Sequence, residues 1–296
     1  MENTPEELLK ASQEHGSYLQ DIELDLGRKP LLCGFPTIEG HEYILSNRGN
    51  LVILAARAGE GKSALAAQLA LNTSQHTKVL FFSLEMSKKA IAERLMSVVS
   101  QVPIKKLKNP SYANQVRQAY ERLKSHKLKI IDTANLSINT LMSMVYDENR
   151  ISPVGLVVID YIQLLSADTS EKRHLDLSKI SSTIKTKLAD KLSIPVLVLA
   201  QMNQGIDSRL AEAARLKAMG KTLEIRPQRS DIGESKGIVD AADVVMFLRR
   251  PCISDPDEPR SLFKVAVCKN RNGTTKDFDL EFSEELTYFV DKGDSF

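Results

Sequence analysis

Ala55-Ala56-Arg57-Ala58-Gly59-Glu60-Gly61-Lys62-Ser63 follows an apolar run that begins at Leu51 and opens an Ala- and Leu-rich helical pattern reaching Leu71. A buried strand, a glycine-bearing turn and a helix start, in that order, cradle a polyphosphate. Backbone N–H groups of the turn point at the anion and the helix dipole favours its charge. On this reading Ala58, Gly59, Glu60, Gly61, Lys62, Ser63 and Ala64 wrap the phosphates, Lys62 reaches the β- and γ-phosphates, and the Ser63 hydroxyl holds Mg²⁺. Ala56 stands where the G-x-x-x-x-G-K-S pattern has its first glycine, but Gly59 and Gly61 still give close backbone approach. The competing reading, a Gly-Lys-Ser triplet in a plain surface turn, fits poorly between a buried strand and a helix. The chain is expected to bind a nucleoside triphosphate.

The rest of the composition is less pointed. With 296 residues, 42% of them hydrophobic, the chain suits one large α/β domain or two small ones. A net charge of +2 means that any nucleic-acid contact must come from local basic stretches. Cys33, Cys252 and Cys268 lie far apart without C-x-x-C or histidine spacing, which argues against a zinc site or a disulfide framework. No apolar run is long enough for a membrane span and the N-terminus lacks a signal pattern, so a soluble cytoplasmic protein with no membrane partner is expected.

Residues 1–30 read as a unit apart from residues 31–296. Thr4-Pro5-Glu6-Glu7 is a capping box, and Leu8, Ala11, Leu19, Ile22 and Leu26 form an apolar stripe at helical spacing. That stripe must pack either on its own domain or on a neighbouring subunit. Residues 27–50, rich in Gly and Pro, read as connector and loop. Beyond them, apolar runs at 51–56, 78–83, 128–131, 155–160 and 195–200 predict strands buried on both faces. Helical patterns near 62–74, 87–100, 111–125, 137–149 and 173–192 alternate with them, which predicts a mostly parallel α/β sheet with helices on both faces. Runs at 243–249, 262–269 and 277–282 lack intervening helices and predict an antiparallel meander at the sheet edge.

Several side chains could carry chemistry. Asp160 closes the run Leu156-Val157-Val158-Ile159-Asp160, where a carboxylate holds the magnesium shell or, alternatively, caps a helix. Glu85, just past the second strand, either polarises an attacking water or begins a helix. Gln201, after the run from Val196 to Ala200, has the neutral amide suited to sensing a γ-phosphate, with a purely structural role as the alternative. Lys269 and Arg271, two residues apart near a strand end, form an anion clamp or an ordinary solvated loop.

Beyond the phosphate loop, Phe82-Ser83-Leu84-Glu85-Met86, Val158-Ile159-Asp160-Tyr161-Ile162-Gln163-Leu164-Leu165, Ala200-Gln201-Met202-Asn203, Ser230-Asp231-Ile232-Gly233-Glu234-Ser235, Ala242-Asp243-Val244-Val245-Met246-Phe247-Leu248 and Lys269-Asn270-Arg271-Asn272-Gly273 occur in order. Over roughly residues 31–283 this succession resembles the motor domain of DnaB-type replicative helicases. The resemblance implies a RecA-like P-loop NTPase core, ATP and Mg²⁺ as cofactors, and a six-subunit homo-oligomeric ring around single-stranded DNA. It assigns Lys62 and Ser63 to the phosphate loop, Glu85 to the catalytic glutamate, Asp160 to the magnesium side and Gln201 to the sensor. Lys269 and Arg271 become the basic finger reaching a neighbour's nucleotide.

Residues 205–229 carry Arg209, Arg215, Lys217, Lys221, Arg226 and Arg229, a basic segment that either lines the ring channel or forms a solvated loop. With the loop around Lys236 it makes Arg209, Arg229, Glu234, Lys236 and Gly237 the expected DNA-binding residues. Gly233 stands where the family's DNA loop carries arginine. The family's large N-terminal domain, which engages primase and loader, has no counterpart in residues 1–30, so expectations about a primase or loader do not transfer from the resemblance. Two further readings remain open: a strand-exchange recombinase of the same core fold, and a non-motor DNA-binding protein that uses ATP as an assembly switch.

Overall fold

Six residues in a row without a polar side chain, Leu51 to Ala56, suit a strand covered on both faces, and the computed structural model places them at the centre of a nine-stranded sheet. It describes residues 31–40, 44–45, 49–167, 173–203, 206, 208–209, 212, 215–216, 219, 226–232 and 236–291. The expected helix over residues 4–26 lies outside them. The elements in order are α1 (Pro36–Gly40), β1 (Leu51–Ala56), α2 (Lys62–Thr73), β2 (Lys78–Ser83), α3 (Lys88–Ser100), α4 (Ala113–Leu123), β3 (Leu128–Ile131), α5 (Ile138–Ile151), β4 (Val154–Asp160), α6 (Arg173–Thr183), β5 (Val196–Gln201), α7 (Lys236–Ala241), β6 (Val244–Arg249), β7 (Leu262–Asn270), β8 (Phe278–Ser283) and β9 (Tyr288–Asp291).

The sheet order is β3-β2-β4-β5-β1-β6-β7-β8-β9. The first six of these strands are parallel neighbours, and β6 to β9 pair antiparallel. Side chains alternate across the pleat. Leu51, Ile53 and Ala55 therefore enter one core with Leu141 and Val145 of α5 and Leu177 and Ile180 of α6, whereas Val52, Leu54 and Ala56 enter the other with Leu65 and Leu69 of α2 and Ile91 and Leu95 of α3. Two cores on opposite faces give the helix-sheet-helix layering expected from the alternating pattern.

Four details differ from the sequence reading. β6 is an interior strand parallel to β1, so the antiparallel meander runs from it through β7, β8 and the short β9, whose four residues carry too little pattern to stand out. The helix expected over 173–192 continues past Thr183 with π-type hydrogen bonding at Ile184–Asp190. β4 starts at Val154, one residue early. Within the stretch read as loop, α1 forms because the Glu39 carboxylate accepts bonds from the Cys33 and Gly34 N–H groups at 2.6 and 2.7 Å.

Two polar clamps join distant parts of the chain. The Gln68 side chain of α2 donates to the Phe289 carbonyl and accepts from its N–H, both at 2.8 Å, and so fastens the helix behind the phosphate loop to β9. At the amino ends of β1 and β6, inside the sheet, buried Asp243 accepts from the Leu51 N–H at 2.8 Å and from Lys185 at 2.8 Å, and pairs with Arg271 at 3.2 Å. Asp243→Ala should lower unfolding free energy by about 2 to 4 kcal/mol, because it orphans the Leu51 N–H and leaves Lys185 with Asp190 as its remaining carboxylate. Urea titration checks this, and an unchanged midpoint would refute it.

Candidate nucleotide-binding site

Parallel register brings the chemistry to one edge. Ser83 of β2 pairs across from Asp160 of β4, Ile159 across from Val198 of β5, and Gln201 across from Ala56 of β1. The Leu84 N–H donates to the Asp160 carbonyl at 2.7 Å, which holds the turn bearing Glu85 beside the end of β4. Ligands in such sheets bind beyond the carboxyl ends of the strands, which is the edge these residues share.

Gly59 and Gly61 have φ of +78° and +84°, a backbone region open to glycine at little cost. A Cβ on Gly61 would also meet Phe289 at 3.2 Å and Phe263 at 3.3 Å, so the loop rests on aromatic rings of the meander. Gly61 caps α2 without any side-chain bond to the first helical N–H groups, which are thereby available to an anion. Ala58 and Gly59 are exposed; Glu60 is buried, with Arg57 3.8 Å away, and Ala64 is buried in the first turn.

Lys62 Nζ lies 3.3 Å from Glu85 Oε2 and 3.9 Å from Asp160 Oδ1, and 4.7 Å from the centre of the Tyr161 ring. Its side chain is 9% exposed and that of Glu85 49%, so the ammonium is a largely sheltered charge while the glutamate is half exposed. Asp160 is wholly buried, and neither carboxylate oxygen finds a hydrogen-bond partner of sound geometry. Burial raises its pKa above the ordinary carboxylate value; the neighbouring Ser63 hydroxyl and the Lys62 charge pull the other way, Glu85 adds to the rise, and Arg94 opposes it.

An unsatisfied buried carboxylate beside a serine hydroxyl fits a divalent cation. Two oxygen donors suit Mg²⁺, which takes its other ligands from phosphates and water. Among the described residues no group of three or more His, Cys, Asp or Glu side chains forms a metal cage.

Arg94 of α3 is a residue the sequence reading missed. Burial lowers its pKa while the Asp160 charge raises it, and its Nε is buried without a partner. The available signal is a charged residue on the apolar face that also carries Ile91, Leu95 and Val98.

The other expected residues lie elsewhere. Lys269 donates to the Val239 and Asp240 carbonyls at 2.8 and 3.3 Å, and Arg271 bonds Asp243 and the Asp240 carbonyl, so both cations cap the C-terminal end of α7. Asp243 holds the start of β1, whereas the phosphate loop leaves its end, six residues or about 20 Å along the strand. Burial, aided by Arg271 and Arg229, lowers the Lys269 pKa.

Arg209 forms an ion pair with Asp231, and Arg229 donates to the Cys268 carbonyl at 3.2 Å, so each has an intramolecular partner. Glu234 lies outside the described residues, as does Gly233; of Lys236 only the helical backbone is described. Gly237 has a packing reason to be glycine, since a Cβ there would stand 2.2 Å from Ser178 Oγ and 2.8 Å from Ser178 Cα.

Asp160→Asn should remove the cost of burying a charge. A folded-state pKa raised above the unfolded value means that ionisation weakens the fold as pH rises. In metal-free buffer the variant should therefore melt higher than wild type, with a gain that grows from acid pH upward and levels off above the raised pKa. Melting curves across pH check this, and a lower melting temperature at neutral pH would refute it.

Residues 41–291 match the DnaB-like helicase C-terminal domain family. A probable plasmid replicative DNA helicase of Chlamydia psittaci is 33% identical over 260 residues, 86% of this chain and 54% of that protein. The replicative DNA helicase DnaB of Geobacillus stearothermophilus is 30% identical over 252 residues, 82% of this chain and 52% of that protein. The chain thus spans about half the length of the curated relatives it matches. Among solved structures, the ATPase domain of G40P superposes with a TM-score of 0.81 at 26% identity, covering 99% of this chain and all of that one. A DnaB-like replicative helicase studied with primase gives 0.80 at 27% identity, covering 99% of this chain and 68% of that one. With the matched family covering most of its length and the RecA-like sheet carrying its phosphate loop, this chain belongs to the DnaB-like helicase C-terminal domain family.

Proposed function

We propose that the chain is the ATP-driven motor of a replicative DNA helicase, working as a ring of six copies on single-stranded DNA. The observation that carries this reading is the division of charge between the two edges of the sheet. Lys62, Ser63, Glu85, Asp160 and Gln201 gather at the carboxyl ends of the strands, while Lys269 and Arg271 sit at the opposite edge, too far to serve the same nucleotide. A site lacking its own cationic finger is completed by a neighbouring copy.

In this reading Lys62 neutralises phosphate charge and Glu85 orients the attacking water. Ser63 and Asp160 would hold Mg²⁺, which would supply positive charge beside the phosphates. Gln201, whose backbone leads into the basic segment from residue 205 to 229, senses the γ-phosphate. Arg209, Arg229, Glu234, Lys236 and Gly237 belong to the segments offered to the DNA backbone. The intramolecular partners of Arg209 and Arg229 mean that either must exchange a protein contact for a phosphate. No helix among the described residues is long and apolar enough to cross a membrane.

Lys62→Ala should abolish hydrolysis and lower the melting temperature, since it takes the nearby ammonium from buried Asp160, and Arg271→Ala should bind nucleotide but turn over slower by about 10³-fold or more. Mixed, the two variants should regain activity, since random assembly leaves roughly a quarter of interfaces with both groups intact. No recovery in rings verified as mixed by native mass spectrometry would remove the finger in trans. Residues 1–30 are proposed as a separate linker unit whose amphipathic stretch, 4–26, docks on an adjacent copy. Deleting residues 1–26 should then give folded monomers or small oligomers with poor turnover, and an undiminished hexamer in sedimentation would count against it.

A further inference from the structure

The β4–β5 ladder stops at Ile159 and Val198, but β5 continues to Gln201. On its β1 side, Gln201 lies opposite Ala56, and the next residue's N–H, that of Met202, donates to the Ala56 carbonyl at 3.0 Å. On its β4 side no strand remains to pair with it. A side chain takes that place. Gln163 Nε2 donates to the Gln201 carbonyl at 3.2 Å, and the Gln201 N–H donates to Gln163 Oε1 at 3.3 Å. The primary amide of Gln163 thus substitutes for a peptide group and extends the ladder past the end of the strand. Few side chains can do this, since the task needs a donor and an acceptor in one plane at the end of a flexible three-carbon reach.

Gln163 lies in the single turn Ile162–Leu164, anchored by buried Ile162 and only three residues after Asp160. On the far side of Gln201, Met202 bridges antiparallel to Ile232, and the Asn203 N–H donates to the Asp231 carbonyl at 2.8 Å. Asp231 in turn pairs with Arg209 and accepts the Gln228 N–H at 2.7 Å. These bonds close the base of the basic segment. A path of short backbone stretches and hydrogen bonds therefore runs from the strand end at Asp160, through the Gln163 amide and Gln201, to the stem of the segment proposed to grip DNA.

We infer that Gln163 is a positioning residue that ties the strand end carrying Asp160 to Gln201 and so sets how strongly DNA binding and nucleotide turnover are coupled. The inference rests on the motor reading above. Neither of the two Gln163–Gln201 hydrogen bonds involves the phosphate loop or Lys62, so breaking them should spare nucleotide binding and act on the coupling.

The test is steady-state ATP turnover by the full chain with and without a single-stranded oligothymidylate, for wild type, Gln163→Met and Gln163→Glu. Methionine keeps the length and volume and makes no amide pair; glutamate keeps the acceptor for the Gln201 N–H and sets a carboxylate against its carbonyl. For Gln163→Met, KM for ATP and DNA-free kcat should stay within about threefold of wild type, while the stimulation by DNA falls about tenfold, a size typical of coupling between two sites. Gln163→Glu should lose stimulation to a similar extent with an unchanged KM.

Wild-type stimulation in Gln163→Met would overturn the inference and leave the motor reading standing. Equal losses with and without DNA in both variants would make Gln163 merely structural, which also overturns it. If melting curves report that one variant is unfolded, the other carries the decision. A wild-type protein whose turnover ignores DNA would count against the motor reading itself, and with it this inference.

Discussion

Backbone pairing fixes the ends of four parallel strands relative to one another, and the candidate site depends on that register. β2, β4, β5 and β1 are neighbours in the sheet, and their paired residues bring Ser83, Asp160, Gln201 and Ala56 to one edge. A slip of one residue in any strand would send its apolar side chains to the wrong face as well as moving its terminal polar group. Continuous burial of β1 and near-continuous burial of β4 and β5 makes such a slip costly. The hydrophobic effect, acting on residues with no chemistry of their own, is thus what aligns the residues that have it.

The same register lets Asp160 remain unsatisfied. A carboxylate without partners in the interior is unfavourable, and the surrounding sheet keeps it there because moving it would break paired, buried backbone on both sides. Lys62 offsets part of this cost at 3.9 Å, but it also lies 3.3 Å from Glu85, so one ammonium is shared between two carboxylates. The cluster carries more negative than positive charge, an excess that a bound cation would relieve. Stability conceded at this point is what leaves coordination positions for a ligand.

Much of this was legible from residue pattern. The runs 51–56 and 78–83 coincide with β1 and β2 because strands covered on both faces contain little besides apolar and β-branched residues. The run 128–131 coincides with β3, but that strand lies at the sheet edge and is only partly buried, with Lys129 exposed, contrary to the expected two-sided burial. Direction is another matter. Val244 to Leu248 reads alike whether paired parallel to β1 or antiparallel to β7, and it does both. The two-residue spacing of Lys269 and Arg271 puts them on one side of a strand, but their place at the edge opposite the phosphate loop follows only from how β7 folds back. Arg94 was hidden for a related reason, since its depth depends on which way α3 is turned against the sheet. Gln163 lay within a quoted motif, yet its role as a stand-in for a peptide group requires knowing where β4 ends.

The dependence of the phosphate loop on the meander has a temporal side. Gly61 lies against Phe263 and Phe289, and the helix that follows is fastened to Phe289 through Gln68, more than two hundred residues later in the chain. During synthesis the glycine turn and its lysine leave the ribosome long before the surface on which they rest exists. Any nucleotide affinity of this loop should therefore be among the last properties a nascent chain acquires.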